Sequence, residues 1–417
     1  MPGRLIVVES NTTGTGMELL RAATRLGLAP VLLTAWPGRY AGLAATGAEV
    51  STCDTDTPTT LRAAATGLGA VAGVTTTSEF YLEAVATLAA GLGLPGDPPT
   101  VSRACRDKSR TRAVLAAAGV PQPRFAVVRD PARARAAVAA VGLPCVVKPV
   151  DDSGSLNVRV CDGTAEVERH IARVTAVRTN VRGQPTAGAA LVEEYLAGEE
   201  FSVEMFGHSG GISCAGITAT ALTDPPYAVE SGHLYPAPVD PRAATAVVGT
   251  VQRALRALGV RHGPSHTEVK LLPHGRVAII EVNARLAGGM IPELVRLATG
   301  VDLVEQQVRA AVGWPVAVGT RPHGHAGIRF LAAAGTGVLR GVHGVEDARS
   351  VPGVTEVRVA KQPGAEVCPP RSSYDRLGHV IAHGPSPQAV TGSLEAAGRA
   401  IHLDIAEPSG GLRDRAA

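Results

Sequence analysis

Apolar residues along the chain follow two alternating rhythms. The run Leu-Ile-Val-Val at 5–8 is short and unbroken, like a buried strand. The turn Asn11-Thr-Thr-Gly14-Thr-Gly16 follows, then a stretch at 17–26 whose apolar positions share one helical face until Gly27 stops it. The same alternation predicts strands at 31–33 and 71–75 and helices at 59–66 and 79–92, the last ended by Gly93. A βαβα order of this kind implies a small parallel sheet. The Gly- and Pro-rich residues 91–99 break regular structure and mark a boundary near 100.

Beyond it the rhythm changes. A helix is expected around Asp107-Lys108-Ser109, ended near Gly119, then a strand at 125–128, a helix at 132–141 and a strand at 145–148. Later strands stand close together and hairpin-like, as in α+β folds. From about 313 a Gly- and His-rich linker leads to short strands at 326–331 and 355–359 and a last helix at 387–400. The expected units are therefore 1–100, 101–312 and 313–417, with no internal repeat. A length of 417 residues suits two or three domains.

Composition narrows the class. With 45% apolar and 18% charged residues the chain reads as soluble and globular. Net charge is +3 with no basic run, so no nucleic-acid partner is expected. The run at 5–8 is too short for a signal peptide, and the Thr- and Gly-rich stretches at 63–78 and 209–223 are too polar to span a bilayer. The six cysteines form no CxxC pair, which suits core thiols in a reducing cytoplasm. Four lysines stand against 36 arginines, so each retained lysine draws notice: a compact ammonium can sit between phosphates as a guanidinium cannot.

Two Gly-rich turns invite a nucleotide reading. Gly14-Thr-Gly16 lies between strand and helix, but Leu19 stands where a dinucleotide fingerprint needs its third glycine. An ordinary turn is the alternative, and no P-loop motif occurs. Lys148 ends an apolar strand, and the turn Ser153-Gly154-Ser155 begins within five residues of it. An ammonium beside such a turn forms a polyphosphate cradle, the alternative being a snorkelling strand-end lysine.

The most telling segment is 264–285. Thr267, Val269 and Leu271 alternate with His266, Glu268 and Lys270, and Ala278, Ile280 and Val282 alternate with Glu281, Asn283 and Arg285. Taking His274-Gly275 as a two-residue turn, Glu268 faces Glu281, His266 faces Asn283 and Lys270 faces Ile279. Two opposed carboxylates repel unless something compensates them. A divalent cation would, and two carboxylates with the Asn283 amide oxygen are hard ligands suited to Mg²⁺. Arg285, one pleat further, is placed to steady a transferring phosphoryl group. A solvated hairpin face in another register is the alternative. Residues 191–204 add a dense acidic strand–turn–strand, Leu-Val-Glu-Glu-Tyr-Leu-Ala-Gly-Glu-Glu-Phe-Ser-Val-Glu, whose carboxylates could accept ribose hydroxyls.

In this order, Lys108, Lys148 with its small loop, the 193–204 segment and Glu281-Val-Asn283 resemble the ATP-grasp superfamily. Glu230-Ser-Gly-His233, Gly263-Pro-Ser-His-Thr-Glu268, Glu281-Val-Asn-Ala-Arg285 and, in the tail, Arg371-Ser-Ser-Tyr-Asp-Arg-Leu-Gly378 are most similar to the L-amino acid ligases. The resemblance implies an ATP-grasp fold between a small Rossmann-like N-terminal domain and a C-terminal ligase-type domain. It implies an ADP-forming carboxylate–amine ligase acting through an acyl phosphate on small molecules, most readily amino acids. Carried over, Lys108 and Lys148 contact ATP phosphates beneath the loop Ser153, Gly154 and Ser155. Glu193 and the Leu196 backbone meet adenine, and Glu200 the ribose. Glu268, Glu281 and Asn283 hold Mg²⁺, with Mn²⁺ an alternative. Arg285 stabilises the phosphoryl charge, and Glu230 and His233 line the amino-acid site. Where relatives read Gly-Ser-Arg-Gly-Val, this chain reads Gly154-Ser-Leu-Asn-Val158, losing a cation and a glycine from the loop. Purine-pathway and biotin-carboxylase-type ligases, or a non-catalytic ATP-binding regulator, are the alternatives. Dimers are common among look-alikes, which leaves a homodimer open.

Overall fold

A computed structural model describes residues 3–12, 14–209, 211–319 and 321–406. Near the N-terminus Glu49–Thr52, Ala29–Thr34, Arg4–Val8 and Val71–Thr75 form a four-stranded sheet in that order, every pair parallel. Leu5 and Val7 pack with Leu19 and Leu20 of the helix Gly16–Arg25, while Ile6 and Val8 pack with Leu61 and Leu88 on the opposite face. Burial on both faces is why this strand reads as an unbroken apolar run. The edge strand Glu49–Thr52 was not expected; it is short and largely exposed, so no apolar run marks it. Thr13 of the Gly-rich turn lies outside the described residues. A Cβ at Gly16 would meet the Asn11 carbonyl oxygen at 1.8 Å, so glycine here serves a tight strand-to-helix turn.

The next segment divides between two antiparallel sheets. One has Phe125–Val128, Ala190–Glu194, Cys145–Pro149 and Arg159–Cys161 in that order, covered by Ala134–Val141 and Thr164–Ala176. The other has eight strands, ordered Val277–Asn283, Gly263–Leu271, Glu199–His208, Gly211–Leu222, Glu230–Tyr235, His325–Leu331, Gly378–Gly384 and Val354–Val359. The helix Pro241–Leu258, which the strand-rich reading missed, lays Val247, Val251 and Leu255 on this sheet against Val203, Val269 and Ile279. Asp240 caps its start by accepting from Arg242 N and Ala243 N, and Gly259 ends it in the left-handed region.

Two local expectations are corrected. The acidic strand–turn–strand is no hairpin: Ala190–Glu194 belongs to the small sheet and Glu199–His208 to the large one, so residues 195–198 bridge the two. The single helix expected around Lys108 is two, Pro99–Arg106 and Lys108–Ala117, with Asp107 between them accepting from Ser109 N and Arg110 N.

The large sheet runs past position 313, because His325–Leu331 pairs with Glu230–Tyr235. Glu366–Val367, Gly337–His343 and His402–Ala406 form a separate three-stranded sheet. Among the described residues no helix is long and apolar enough to cross a membrane.

Candidate functional site

The three segments meet around a cavity of about 800 Å³. Its wall includes Lys108, Lys148, Ser153, Gly154, Ser155, Glu193, Leu196, Glu200, Glu230, Glu268, Glu281 and Arg285. Asn283 and His233 are not on the wall; both are buried just behind it.

Glu268 and Glu281 are direct cross-strand partners, and His266 pairs with Asn283. The expected register fails only nearer the turn, where Lys270 faces Ala278 rather than Ile279. The turn is one residue wider than expected, with Leu272 N donating to Arg276 O around Pro273–Gly275. A bulge between Glu268/Val269 and Glu281/Ile279 leaves Ile280 as the extra residue and restores the opposition. Burial pushes the Glu268 carboxyl up, His266 draws it down, and Glu281 opposite adds to the rise. Lys108 Nζ stands 3.4 Å from Glu281 Oε1 and donates to Asp152 O at 2.7 Å. Among the described residues no three His, Cys, Asp or Glu side chains cluster around one metal position. Two opposed carboxylates with a nearby amide still fit a hard cation that keeps water and phosphate oxygens on its other positions.

Glu193 was expected at the base. Its carboxylate instead turns inward to Lys148 Nζ at 2.7 Å and to the buried Arg112 guanidinium. Burial alone would raise Glu193; Arg112 and Lys148 overcome it and hold the carboxyl at about 2. Arg112 also donates to Ile279 O at 3.3 Å and Ile280 O at 2.6 Å, so one guanidinium ties the bulge to the Ala190–Glu194 strand through Glu193. Glu200 pairs with Lys270 Nζ at 3.0 Å, and burial, then Glu268, raise its carboxyl to about 7.

The other end of the cavity holds a residue that sequence reading missed. Glu79 follows the C-terminal end of the parallel strand Val71–Thr75 and is 4% exposed. Its Oε2 accepts from Arg285 Nη2 at 2.8 Å and from Ser153 Oγ at 2.9 Å, and its Oε1 from Arg106 Nη1 at 3.4 Å. Burial opposes ionisation, but Arg285, Arg106 and Lys108 keep its carboxyl at about 2. A lone glutamate at a helix start carried no sequence signal; its position at the carboxyl end of a parallel strand, where ligands gather in such sheets, was the available hint.

Glu230 accepts from Arg376 Nη2 at 2.8 Å, a C-terminal residue whose guanidinium lies 3.6 Å over the Phe330 ring. Burial would raise Glu230, yet the surrounding cations hold it at about 2. Arg376 is the operative one, because burial depresses His233 to about 4 and leaves it neutral at pH 7. His233 Nε2 stands 3.9 Å from Glu230 Oε2 with no hydrogen-bond partner among the described residues, and Nδ1 contacts Thr220 Oγ1 at 3.3 Å. Gly289, with φ of +57°, screens it from the cavity; a Cβ there would meet His233 Nε2 at 2.5 Å.

The altered small loop is held by contacts of its own. Asn157 takes the left-handed conformation at φ of +56°, which asparagine tolerates better than most residues. Its carbonyl contacts His170 Nε2 at 2.8 Å and its side chain accepts from Arg173 Nε at 3.2 Å. From the C-terminal segment, Ser373 N donates to Gly154 O at 3.0 Å.

Comparison with known proteins bears on what this cavity serves. Residues 141–293 match the ATP-grasp domain and residues 329–406 the L-amino acid ligase C-terminal domain 2. An uncharacterized protein, y4rH, of Sinorhizobium fredii is 34% identical over 414 residues, 99% of this chain and 84% of that protein. The chain belongs to the ATP-grasp ligases. Alanine–anticapsin ligase of Bacillus subtilis is 31% identical over 253 residues, 57% of this chain and 53% of that enzyme, so the match spans about half of that relative. The solved L-amino acid ligase from Bacillus licheniformis shares the fold at a TM-score of 0.81 and 23% identity, covering 97% of this chain and 99% of that one. This ATP-grasp protein is thus an ADP-forming carboxylate–amine ligase close to the L-amino acid ligases and dipeptide synthases. Its C-terminal domain match sets it apart from the purine-pathway and biotin-carboxylase alternatives.

Proposed function

We propose that this ligase couples the carboxylate of one small molecule to the amine of an amino acid through an acyl phosphate, in dipeptide or secondary-metabolite synthesis in the cytoplasm. The observation that carries the reading is the opposed pair Glu268 and Glu281 beside Lys108, in a cavity that Arg376 of the ligase-type C-terminal segment helps to line. The six cysteines are free, which fits a reducing compartment.

In this scheme Lys108 and Lys148 lie along the ATP phosphates under Ser153, Gly154 and Ser155, the base rests near Leu196, and Glu200 accepts from the ribose. Glu268, Glu281 and Asn283 hold Mg²⁺ or Mn²⁺, which supplies charge neutralisation to the phosphate oxygens. A substrate carboxylate oxygen attacks the γ-phosphorus, the bond to the bridging oxygen breaks, and ADP leaves. Arg285, held by Glu79, steadies the charge on the transferred group. The amine nitrogen then attacks the acyl carbon and loses a proton as phosphate departs. Glu230 is ionised at neutral pH and is the group that receives the substrate ammonium. His233, neutral and behind Gly289, acts by positioning rather than by touching substrate.

The test measures phosphate release from ATP and Mg²⁺ with single and paired amino acids, with mass spectrometry of the products. ADP, phosphate and a dehydrated dipeptide mass are expected. AMP with pyrophosphate would overturn the acyl-phosphate scheme.

A further inference from the structure

Arg39 and Arg182 are the two cations on the cavity wall that face no protein carboxylate within 4 Å among the described residues. Every other lysine or arginine there has one within 3.4 Å, in the five ion pairs Lys108–Glu281, Lys148–Glu193, Lys270–Glu200, Arg285–Glu79 and Arg376–Glu230. Both line the same cavity. Arg182 Nη2 donates to Ser10 O at 2.8 Å, while Ser10 N donates at 3.0 Å to the hydroxyl of Tyr40, the residue after Arg39. Arg182 Nη1 is buried without a hydrogen-bond partner among the described residues. A buried guanidinium nitrogen left unpaired is costly unless a ligand completes it, and a carboxylate matches its geometry.

We propose that Arg182, with Arg39 on the same cavity wall, is the seat for a substrate carboxylate that does not react. This deepens the ligase reading and rests on it. The reacting carboxylate belongs beside Arg285, whose charge Glu79 already balances, whereas Arg182 and Arg39 have no such carboxylate partner within 4 Å among the described residues. They therefore select a substrate with a second, free carboxylate. That group is either the α-carboxylate of the amino acid that supplies the amine or a side-chain carboxylate of the acyl donor, and Arg182 is a specificity-determining residue for it.

The test is calorimetric binding to the full chain with Mg²⁺ and a non-hydrolysable ATP analogue. L-alanine is compared with L-alaninamide, and L-aspartate with L-asparagine. At least one free acid is expected to bind about tenfold more tightly than its amide. The pair that discriminates tells which carboxylate is seated. Arg182→Ala should collapse that difference and Arg182→Lys keep part of it. Arg39→Ala, which removes no side-chain hydrogen bond or ion pair among the described residues, should weaken the acid alone. Equal binding of acid and amide in both pairs, no binding by any of the four, or a preference that survives Arg182→Ala overturns the proposal. Failure of the ligase reading shows separately, as wild-type protein that discriminates acid from amide yet releases no ADP with any pair.

Discussion

Glu268 lies directly across the strand pair from Glu281, and Ile280 is the extra residue that puts it there. The three-residue turn shifts the pairing by one position, and the bulge shifts it back. Arg112, donating to the carbonyls of Ile279 and Ile280, pins that bulge from the helix Lys108–Ala117. Like charges face to face inside a cavity are unfavourable on their own, so the arrangement makes sense for a site that receives a cation.

Replacing Glu281 by Gln removes one of the two opposed charges and keeps the shape. Turnover is expected to fall by at least about a hundredfold, in line with loss of a preorganised electrostatic group. Because Glu281 both opposes Glu268 and pairs with Lys108 at 3.4 Å, the two losses offset and thermal stability without nucleotide should change little. Phosphate release within a few-fold of wild type would remove Glu281 from the metal set.

Glu230 and Arg376 join the large sheet's Glu230–Tyr235 strand to the C-terminal segment at 2.8 Å. Glu230→Ala leaves Arg376 without its carboxylate and takes a negative charge from the substrate end. ATP binding should survive within about threefold, while the ranking of amine or carboxylate substrates changes. An unchanged ranking would place Glu230 outside the substrate pocket.

His233 offers a contrast between a catalytic and a positioning role. It is neutral at pH 7 and screened by Gly289, so His233→Gln should lower kcat by less than about tenfold without removing a limb of the pH–rate profile. Gly289→Ala should be worse, since its Cβ meets the His233 ring and its φ disfavours any side chain. A lost titration step near pH 6–7 in His233→Gln would make the imidazole a proton carrier.

The parts of the molecule legible in sequence share one property: their signal is local. The strand at 71–75 and the helix Pro387–Ala400 were read from periodicity and bounding residues alone. The opposition of Glu268 and Glu281 was legible because alternation on two adjacent strands survives two compensating register shifts. What was not legible depended on distant chain. Glu79 reaches Arg285 across 206 positions and Arg112 reaches Glu193 across 81, and no spacing rule joins such pairs. The acidic 193–204 segment misled for the same reason: Glu193 and Glu200 look like one hairpin surface but belong to different sheets, each already matched to a lysine.

Those two long-range pairs, with Glu230 beside Arg376, are expected to contribute to the protein's response to acid. Glu79 and Glu193 have carboxyls at about 2 in the fold, against an ordinary value of 4.5. A depressed carboxyl contributes its stability above the unfolded value, and the contribution is lost as pH falls through the folded one. Both contributions are therefore complete above about pH 5 and disappear between there and about pH 2, each on the order of 3 kcal/mol. Urea midpoints should drop steeply over that window in the wild type. Glu193→Gln cannot ionise, so its midpoint should be lower at pH 7 and fall less toward pH 3, with Arg112 and Lys148 left facing each other. Glu79→Gln should flatten the curve in the same way and, by releasing Arg285, also raise the KM for the acyl-donor substrate. Parallel wild-type and variant curves between pH 5 and 3 would mean that these buried pairs do not contribute to acid stability.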